Sequence, residues 1–509
     1  MKNTFLTLLF CLLVTILFAQ APLETKLQSA LDAVYQAHPE AVGILVHVET
    51  PEKNISWSGA AGYSNKDTKA VLNSDQPALI ASSIKTYVAA TMLRLVEEKK
   101  LRIDQSIGNL LTEKTKKLFS SDGYDLSTIQ IQHLLSHTSG IANYADEAYI
   151  EHKDKNPNYR WTRDEQLALT IKKGDPLGKP GSLFSYTDAN YLLLTEIMEQ
   201  VTGLPFYQAM RELLKYKTLG INDTWFPTLE DKPSGTKEMA HQYWSEKNWD
   251  AQKMDISWDL YGGGGIACPA KDLALFVQYY FNGKIVEDEE IRNLIFTYIP
   301  TKETEVYPYY LGLSESNYHG MKGYGHGGFW GTVMMYFPTI NTSIAVYIQD
   351  RSANRLRGNV MDALSKVIFD AYADRINAYQ PIEEKSEIQE IRETLTDYIE
   401  GTANGEPDRL RKAFHPDFNL YTVTEEDSLR IRSGEKYINN IEVGKKNSRV
   451  GRIISIDFEK EAAMAKSEIV IPGWRIFTDY FLLLKYQGSW KIIQKSYTWR
   501  PFPNTESVN

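Results

Sequence analysis

The order of the apolar segments is the strongest constraint on the fold of this chain. A helical pattern at 23–37 precedes two strand-like runs, 41–48 and 55–61. A helical and loop-rich middle extends to about residue 255, and beyond the glycine run at 262–265 helix and strand signals alternate up to about residue 376. Strands on both sides of a helical insert predict an α/β-type sheet that is interrupted by a helical subdomain.

A second unit follows a change of composition near residue 380. The polar, proline-containing stretch 379–385 is typical of a linker. An amphipathic helix comes next, and a series of strand-like runs ends near residue 497, which is an α+β pattern. With 509 residues, the chain is also too long for one ordinary core. We therefore predict a first domain at 21–378, a linker at 379–386 and a second domain at 387–509.

The first twenty residues differ from the rest of the chain. Lys2 gives a positive start, residues 5–18 are almost continuously apolar, and Ala19 or Ala21 offers a small residue for cleavage. This pattern predicts a signal peptide at 1–20 and a periplasmic or secreted bacterial protein, with an uncleaved membrane anchor as the alternative. Removal of the peptide leaves Cys268 alone, so no intramolecular disulfide is expected.

Charge and motifs argue against several classes of function. The formal net charge of −9 argues against a nucleic-acid partner. Neither His-Glu-x-x-His nor Gly-x-Ser-x-Gly occurs, so metalloprotease and α/β-hydrolase interpretations have no support. We expect no metal and no cofactor, a small-molecule or peptide substrate, and no stable membrane insertion after signal cleavage.

Two adjacent serines precede a lysine in an otherwise apolar helical segment, residues 80–95. On a helix, residues three apart share a face, so Ser82 and Lys85 can meet whereas Ser83 points away. A helix that begins at Ser82 would favour a neutral amine at Lys85, which could take the serine proton. A helix-capping serine with a snorkelling lysine is the alternative.

Four further stretches decide between these alternatives. They are HLLSHTSGI at 133–141, PGSLFSYTDANYLLL at 180–194, YGGGGIACPAKDL at 261–273 and GYGHGGFWG at 323–331. In this order and spacing, residues 25–375 resemble the serine β-lactamase and penicillin-binding-protein-like family, in particular its class C β-lactamases, DD-peptidases and esterases. The resemblance implies a β-lactamase-like fold, an antiparallel sheet flanked by helices with a helical subdomain.

The resemblance also implies roles for individual residues. Ser82 matches the acylated nucleophile, Lys85 its neighbouring base, and Tyr186 the tyrosine that moves protons between the nucleophile and the leaving group. The usual Tyr-x-Asn of this second motif here ends in Asp188. The aspartate charge favours a protonated Lys85, which shifts the base role towards Tyr186, and it removes an amide donor for the substrate.

The third motif, Lys/His-Thr/Gly-Gly, corresponds to His326, Gly327 and Gly328. In the family it lies on a strand at the edge of the cleft. The imidazole could bind a substrate carboxylate or orient the tyrosine of the second motif. The glycines would allow the substrate backbone to approach the strand. The oxyanion hole implied by the resemblance consists of the backbone N–H groups of Ser82 and Phe329.

The C-terminal segment resembles the NTF2-like superfamily, in particular its SnoaL-like or lumazine-binding-like members. The basis is YIEGTANG at 398–405, FHPDF at 414–418 and LKYQGSWKII at 484–493. The resemblance implies a second α+β domain of conical shape, with an apolar pocket or a homodimer contact.

Together these features predict a serine hydrolase that forms an acyl-enzyme at Ser82. The expected substrates are D-amino-acid peptides, as for a DD-carboxypeptidase, D-amino-acid amides, or small esters. The alternatives are a β-lactamase proper and a non-catalytic protein that binds or senses β-lactams or peptidoglycan peptides. Asp188 is the one feature that favours a non-catalytic protein.

Overall fold

The computed structural model describes residues 22–304, 306–373 and 382–502. The predicted signal peptide and the first residues of the predicted linker lie outside these ranges. The chain divides into two compact units after Tyr372. Within the described ranges, no helix combines the length and apolar character that a membrane span requires.

The first unit contains a large sheet, several short strand pairs and many helices. Its described helices are α1 (Leu23–Ala37), α2 (Ile84–Glu97), α3 (Glu113–Ser120), α4 (Ile131–Leu135), α5 (Glu147–Lys155), α6 (Arg163–Lys173), α7 (Ala189–Thr202), α8 (Phe206–Leu213), α9 (Tyr216–Leu219), α10 (Ala270–Phe281), α11 (Glu289–Asn293) and α12 (Leu356–Ala371). Its described strands are β1 (Gly43–Thr50), β2 (Ile55–Gly62), β3 (Ala78–Leu79), β4 (Tyr243–Trp244), β5 (Trp249–Asp250), β6 (Ala267–Cys268), β7 (Ser314–Tyr318), β8 (Met321–Gly327), β9 (Thr332–Phe337) and β10 (Thr342–Ile348).

The large sheet has the order β2-β1-β10-β9-β8-β7, and every neighbouring pair is antiparallel. Helix α10 packs on β1, β9 and β10, while α1 and α12 pack on each other and on the sheet. Alternate side chains of the central strands are therefore buried on both faces. This is the predicted antiparallel sheet flanked by helices, with the helical subdomain inserted between β2 and β7.

Helix α2 lies at the centre of the largest hydrophobic core. Its Ile84, Tyr87 and Val88 are fully buried, and the helix contacts α7 and α8. The helix begins at Ile84 and not at Ser82 as predicted, because a single 3₁₀ turn over residues 81–83 precedes α2. Cys268 in β6 is fully buried and forms no disulfide.

The second unit combines three described helices with a six-stranded sheet. Its described elements are α13 (Ile382–Asn404), α14 (Pro407–Ala413), β11 (Phe414–Val423), β12 (Leu429–Ser433), α15 (Gly434–Asn439), β13 (Val450–Glu459), β14 (Ala462–Ile471), β15 (Arg475–Tyr486) and β16 (Ser489–Pro501). The sheet order is β12-β11-β16-β15-β14-β13, and only the β11–β16 pair is parallel among these described strands.

Helix α13 corrects the predicted linker. Residues 382–386, assigned to the linker from their polar composition, belong to this helix. Proline at 381 can precede a helix as well as interrupt one, so composition alone does not place the start.

Candidate active site

Ser82 lies in a tight turn between strand β3 and helix α2. The Gln242 side chain fixes the start of this turn, since it bonds both the N–H and the carbonyl of Leu79. Ala81, the residue before the serine, has a φ of 46°, in the left-handed region that non-glycine residues rarely adopt. The surrounding structure therefore holds the serine turn in a strained conformation, as is common at functional sites.

Lys85 lies one helical turn after Ser82, and its side chain is fully buried. Its Nζ donates to Ser82 Oγ at 3.1 Å, to Asp188 Oδ1 at 2.7 Å and to the Gly263 carbonyl at 3.3 Å. Three acceptors match the three protons of an ammonium group. The Ser83 hydroxyl instead donates to a backbone carbonyl of strand β8 at 3.2 Å. The structure thus brings Ser82 to Lys85 and directs Ser83 elsewhere.

The surroundings of Lys85 determine its charge. Burial alone would lower the pKa of Lys85, but the Asp188 carboxylate, with smaller contributions from Tyr186 and Asp259, holds that pKa above its usual value. Lys85 is therefore a cation paired with Asp188. This is the preference that an aspartate in the second motif predicts.

The backbone of the second motif, around Tyr186, is hydrogen-bonded to His137. The Ser185 N–H donates to the His137 carbonyl at 2.9 Å, and the Thr187 N–H donates to His137 Nδ1 at 3.2 Å. The rings of His137 and Tyr186 lie with their centroids 4.1 Å apart. Burial holds the pKa of His137 well below its usual value, and the Lys85 cation lowers it further. A neutral imidazole therefore positions the motif, a role that the sequence does not reveal.

Tyr186 lies next to both Ser82 and Lys85, and Lys85 Nζ is 5.0 Å from the centroid of its ring. Desolvation raises the pKa of Tyr186 to about 12, even though the residue is 38% exposed. The Lys85 cation opposes this rise, Asp188 adds to it, and hydrogen bonding with Lys85 and Ser82 lowers it. The phenol is protonated at neutral pH and lies beside the serine hydroxyl.

His326 lies near the end of β8 and is buried. Its Nδ1 contacts the Gly327 carbonyl at 2.6 Å, and its Nε2 contacts the Tyr309 hydroxyl at 3.0 Å. Because a carbonyl can only accept, Nδ1 carries the proton and Nε2 accepts from Tyr309. Burial lowers the pKa of His326 to about 3. A neutral ring with both nitrogens bonded is unsuited to holding a substrate carboxylate, the first of its two predicted roles.

Packing within the protein requires Gly328, whereas the near contact at Gly327 is the flexible end of the Arg357 side chain. A Cβ atom at Gly328 would overlap the Ile80 carbonyl oxygen, and one at Gly327 would lie 2.9 Å from Arg357 Nη1. The end of β8 can therefore pack against the turn that carries Ser82. This contact is one reason for Gly328, and the approach of substrate to the strand stays a prediction.

Two backbone donors next to the serine turn have no partner. The N–H groups of Ser82 and Phe329 make no hydrogen bond to any residue of the described chain. The preceding Gly328 N–H, in contrast, donates to the Thr332 carbonyl at 2.8 Å and shapes the loop after β8. Unpaired N–H groups at these two positions are what an oxyanion hole requires.

Asp259 is a component of the site that the motifs do not include. Its side chain is 8% exposed and makes no hydrogen bond within the described residues. Burial raises the pKa of Asp259 to about 8; Asp188 adds to this rise, whereas Lys85 and Arg351 oppose it. A Cβ at Gly264 would overlap the Asp259 carboxyl group, so the glycine run folds directly over it. The carboxyl group is therefore largely protonated at neutral pH.

An aromatic cluster surrounds Phe329. The rings of Phe329 and Trp258 have centroids 5.0 Å apart, and the Arg351 guanidinium lies 3.6 Å from the Phe329 centroid. The other members of the cluster are Trp244, Trp249 and Trp330. Trp249, Trp258 and Trp330 are buried, so the cluster is a packed aromatic core beside Phe329. No cluster of three or more metal-ligating side chains was found among the described residues.

Comparison with known sequences identifies the first unit. The sequence model of the family described as "Beta-lactamase" matches residues 31–364. The chain belongs to the Beta-lactamase family. This family comprises serine hydrolases, so the geometry around Ser82 is that of an enzyme family. The family described as "Putative lumazine-binding" matches residues 386–498, which confirms the NTF2-like resemblance of the second unit.

Individual relatives of this Beta-lactamase-family chain are distant. A "Putative penicillin-binding protein PbpX" from Bacillus subtilis is 26% identical over 42% of the chain and 49% of its own length. A "Putative D-alanyl-D-alanine carboxypeptidase" from Escherichia coli is 26% identical over 52% of the chain and 67% of its own length. The chain thus matches only about half of the first of these relatives.

Solved structures support the fold. A D-amino acid amidase from Ochrobactrum anthropi aligns with a TM-score of 0.58 at 20% identity, over 69% of the chain and 99% of the amidase. At this level of identity the likeness establishes the β-lactamase-like fold and leaves the substrate open.

Proposed function

We propose that the chain is a secreted or periplasmic serine hydrolase that forms an acyl-enzyme at Ser82. The observation that carries this proposal is the 3.1 Å contact between Ser82 Oγ and the buried Lys85 Nζ, beside the unpaired N–H groups of Ser82 and Phe329. A nucleophile, a fixed cation and two oxyanion donors are the parts that acyl transfer needs.

The charges of Lys85 and Tyr186 indicate which residue carries out each proton transfer. Lys85 is a cation that donates to Ser82 Oγ, so it is not free to accept the serine proton. The Tyr186 phenol first loses its own proton to solvent, and the resulting phenolate, the form that the Lys85 cation favours, takes the serine proton. Ser82 Oγ bonds to the substrate carbonyl carbon, the two N–H groups hold the oxyanion, and Tyr186 returns the proton to the leaving group. Water then releases the acyl group by the same route.

D-amino-acid peptides and amides, together with small esters, are the proposed substrates. The relatives named as a D-alanyl-D-alanine carboxypeptidase and a D-amino acid amidase support this class. Steady-state assays on D-Ala-D-Ala peptides, D-amino-acid amides, cephalosporins and short esters will test the class, and turnover of cephalosporins alone would make the protein a β-lactamase proper.

A protein that binds or senses β-lactams or peptidoglycan peptides without turnover is the second candidate. The 2.7 Å ion pair of Lys85 with Asp188 favours it, because it keeps the lysine protonated. Labelling with a fluorophosphonate or penicillin, followed by mass mapping of the adduct, distinguishes a hydrolase from a sensor. An adduct on Ser82 with multiple turnovers supports the hydrolase, a lasting adduct without turnover supports the sensor, and no adduct contradicts an acyl-enzyme.

A further inference from the structure

The second unit contains a cavity of about 470 Å³ whose lining residues all belong to that unit. Side chains two residues apart on a strand point to the same face of a sheet. The inward set here includes Phe477 and Asp479 on β15, and Lys495, Tyr497 and Trp499 on β16. The volume lies within the range of small-molecule sites.

A polar cluster is buried in the wall of this cavity. Asp479 is fully buried, and its Oδ2 accepts from the Tyr398 hydroxyl at 2.6 Å and from Lys495 Nζ at 2.9 Å. Its Oδ1 has no partner among the described residues, and neither has the hydroxyl of Ser467, which is the register neighbour of Asp479 on β14. This cluster gives one part of the cavity wall a polar, hydrogen-bonded character.

Four guanidinium groups also line the cavity. Glu425 and Glu426 also border the cavity, on an exposed turn. In the same unit, Arg452 and Arg500 both pair with Glu468. The arginines of the cavity make no such ion pair with a carboxylate of the described chain. These cavity arginines are Arg430, Arg432, Arg449 and Arg475.

Arg475 shows how one of these groups is prepared for a ligand. Its guanidinium lies 3.5 Å from the centroid of Trp499 and 4.7 Å from that of Trp474. Stacking on indole rings fixes the plane of a guanidinium and leaves its N–H edge available for two parallel hydrogen bonds to an anion. The rings of Tyr437 and Tyr497 also line the cavity and offer flat apolar surface.

We propose that this cavity binds a planar aromatic anion. The arginines supply charge-assisted hydrogen bonds to a carboxylate, phosphate or sulfonate group, and the aromatic side chains stack on the ring. The NTF2-like resemblance implied an apolar pocket. This expectation is wrong for this chain, because the cavity lining carries more cationic than anionic side chains. The proposal does not depend on turnover at Ser82.

Two fluorescent probes with the same ring system test the requirement for an anion. 8-Anilinonaphthalene-1-sulfonate carries a sulfonate, whereas N-phenyl-1-naphthylamine does not. In titrations of the full chain we expect the sulfonate probe to bind at one site, at least about tenfold more tightly than the neutral probe, as expected for charge-assisted hydrogen bonds. Equal affinity for the two probes would overturn the proposal.

Variants locate the site. Arg432→Gln and Arg475→Gln should each weaken the sulfonate probe by about tenfold and leave the neutral probe nearly unchanged, so that the neutral probe also reports on folding. Arg500→Gln, on the outer face of β16, is the matched control and should have no effect. If the cavity variants bind like the wild type, or if Arg351→Gln beside Phe329 weakens the probe instead, the proposed site is wrong.

Discussion

The Ser82 cleft and the arginine-lined cavity of the second unit, here called the basic cavity, differ in how far their buried charges are neutralised. In the cleft, Lys85 pairs with Asp188, His326 is neutral and Asp259 is largely protonated. Among the described residues that line the cavity, Lys495 pairs with Asp479, while the four arginines form no ion pair with a carboxylate.

This difference separates a site for chemistry from a site for binding. A cleft whose charges already satisfy one another is preorganised, so a bound substrate meets fixed dipoles and little rearrangement is needed. A cavity with unpaired cations is completed only when an anion enters. Substitutions in the cleft should therefore change rates, and substitutions in the cavity should change affinities.

The largest effect is expected from Ser82→Ala. Loss of the nucleophile should reduce hydrolysis of an activated ester by about 10,000-fold, since catalytic groups that act as a unit fail together. Ser83→Ala is the matched control, because it removes only a hydroxyl that bonds a β8 carbonyl, and most activity should remain. Equal losses in both variants would show that Ser82 is not the nucleophile.

Tyr186→Phe should have the next largest effect. Without the phenol the serine proton has no acceptor, and kcat should fall by about 100-fold or more, the usual contribution of a general base. Tyr191→Phe is a suitable control, because its ring lies 5.1 Å from Lys85 Nζ but its hydroxyl donates to the Leu135 carbonyl. A Tyr186→Phe enzyme with wild-type kcat would return the base role to Lys85.

Asp188→Asn tests how far the cleft charges cancel. Asp188 raises the pKa of both Lys85 and Tyr186, so its neutralisation lowers both values. The base works in its deprotonated form, and a lower pKa makes more of it available. The rising limb of the pH profile of kcat/KM should move down by about one pH unit, and activity at pH 7 should increase.

A loss of activity in Asp188→Asn at every pH would contradict this expectation. It would mean that the carboxylate itself accepts a proton during the reaction, or that the ion pair is needed to hold Lys85 in place.

The smallest effect on rate, with a measurable effect on stability, is expected from Asp259→Asn. The folded chain holds a proton on Asp259 up to about pH 8, whereas the unfolded chain releases it near pH 4. The free energy of unfolding of the wild type therefore falls as the pH rises through this window. Urea unfolding should show that the variant gains about 4 kcal/mol over the wild type between pH 5 and pH 8. A difference that is constant with pH would show that Asp259 is ionised in the folded protein.

Motif order predicted much of the site, because each motif fixes a side chain to the end of an element. Helical spacing, for example, brings Ser82 to Lys85. The sequence did not predict the Gly263 carbonyl or Asp259 as parts of the site. A backbone acceptor leaves no signature in the sequence, and a single aspartate in a loop belongs to no motif with a defined spacing.

The cavity of the second unit was harder to foresee for a different reason. Alternation such as Arg-x-Arg at 430–432 or Lys-x-Tyr-x-Trp at 495–499 is visible in the sequence. Which face of the sheet points inward depends on register, and a slip of one residue would turn every one of these side chains outward. Strand β12 itself is short and exposed at the sheet edge, and its Leu-Arg-Ile-Arg alternation covers only four residues, the minimum for a strand prediction.

The burial of Cys268 has a practical consequence for studying both regions. The described part of the chain contains this one cysteine, and it is fully enclosed by the core, where burial raises the pKa of its thiol and disfavours the reactive thiolate. A maleimide dye should therefore react selectively with a cysteine introduced at the exposed Val423, which borders the basic cavity. Together with a fluorescent acyl-enzyme label at Ser82, that dye would allow the distance between the two units to be measured spectroscopically in solution.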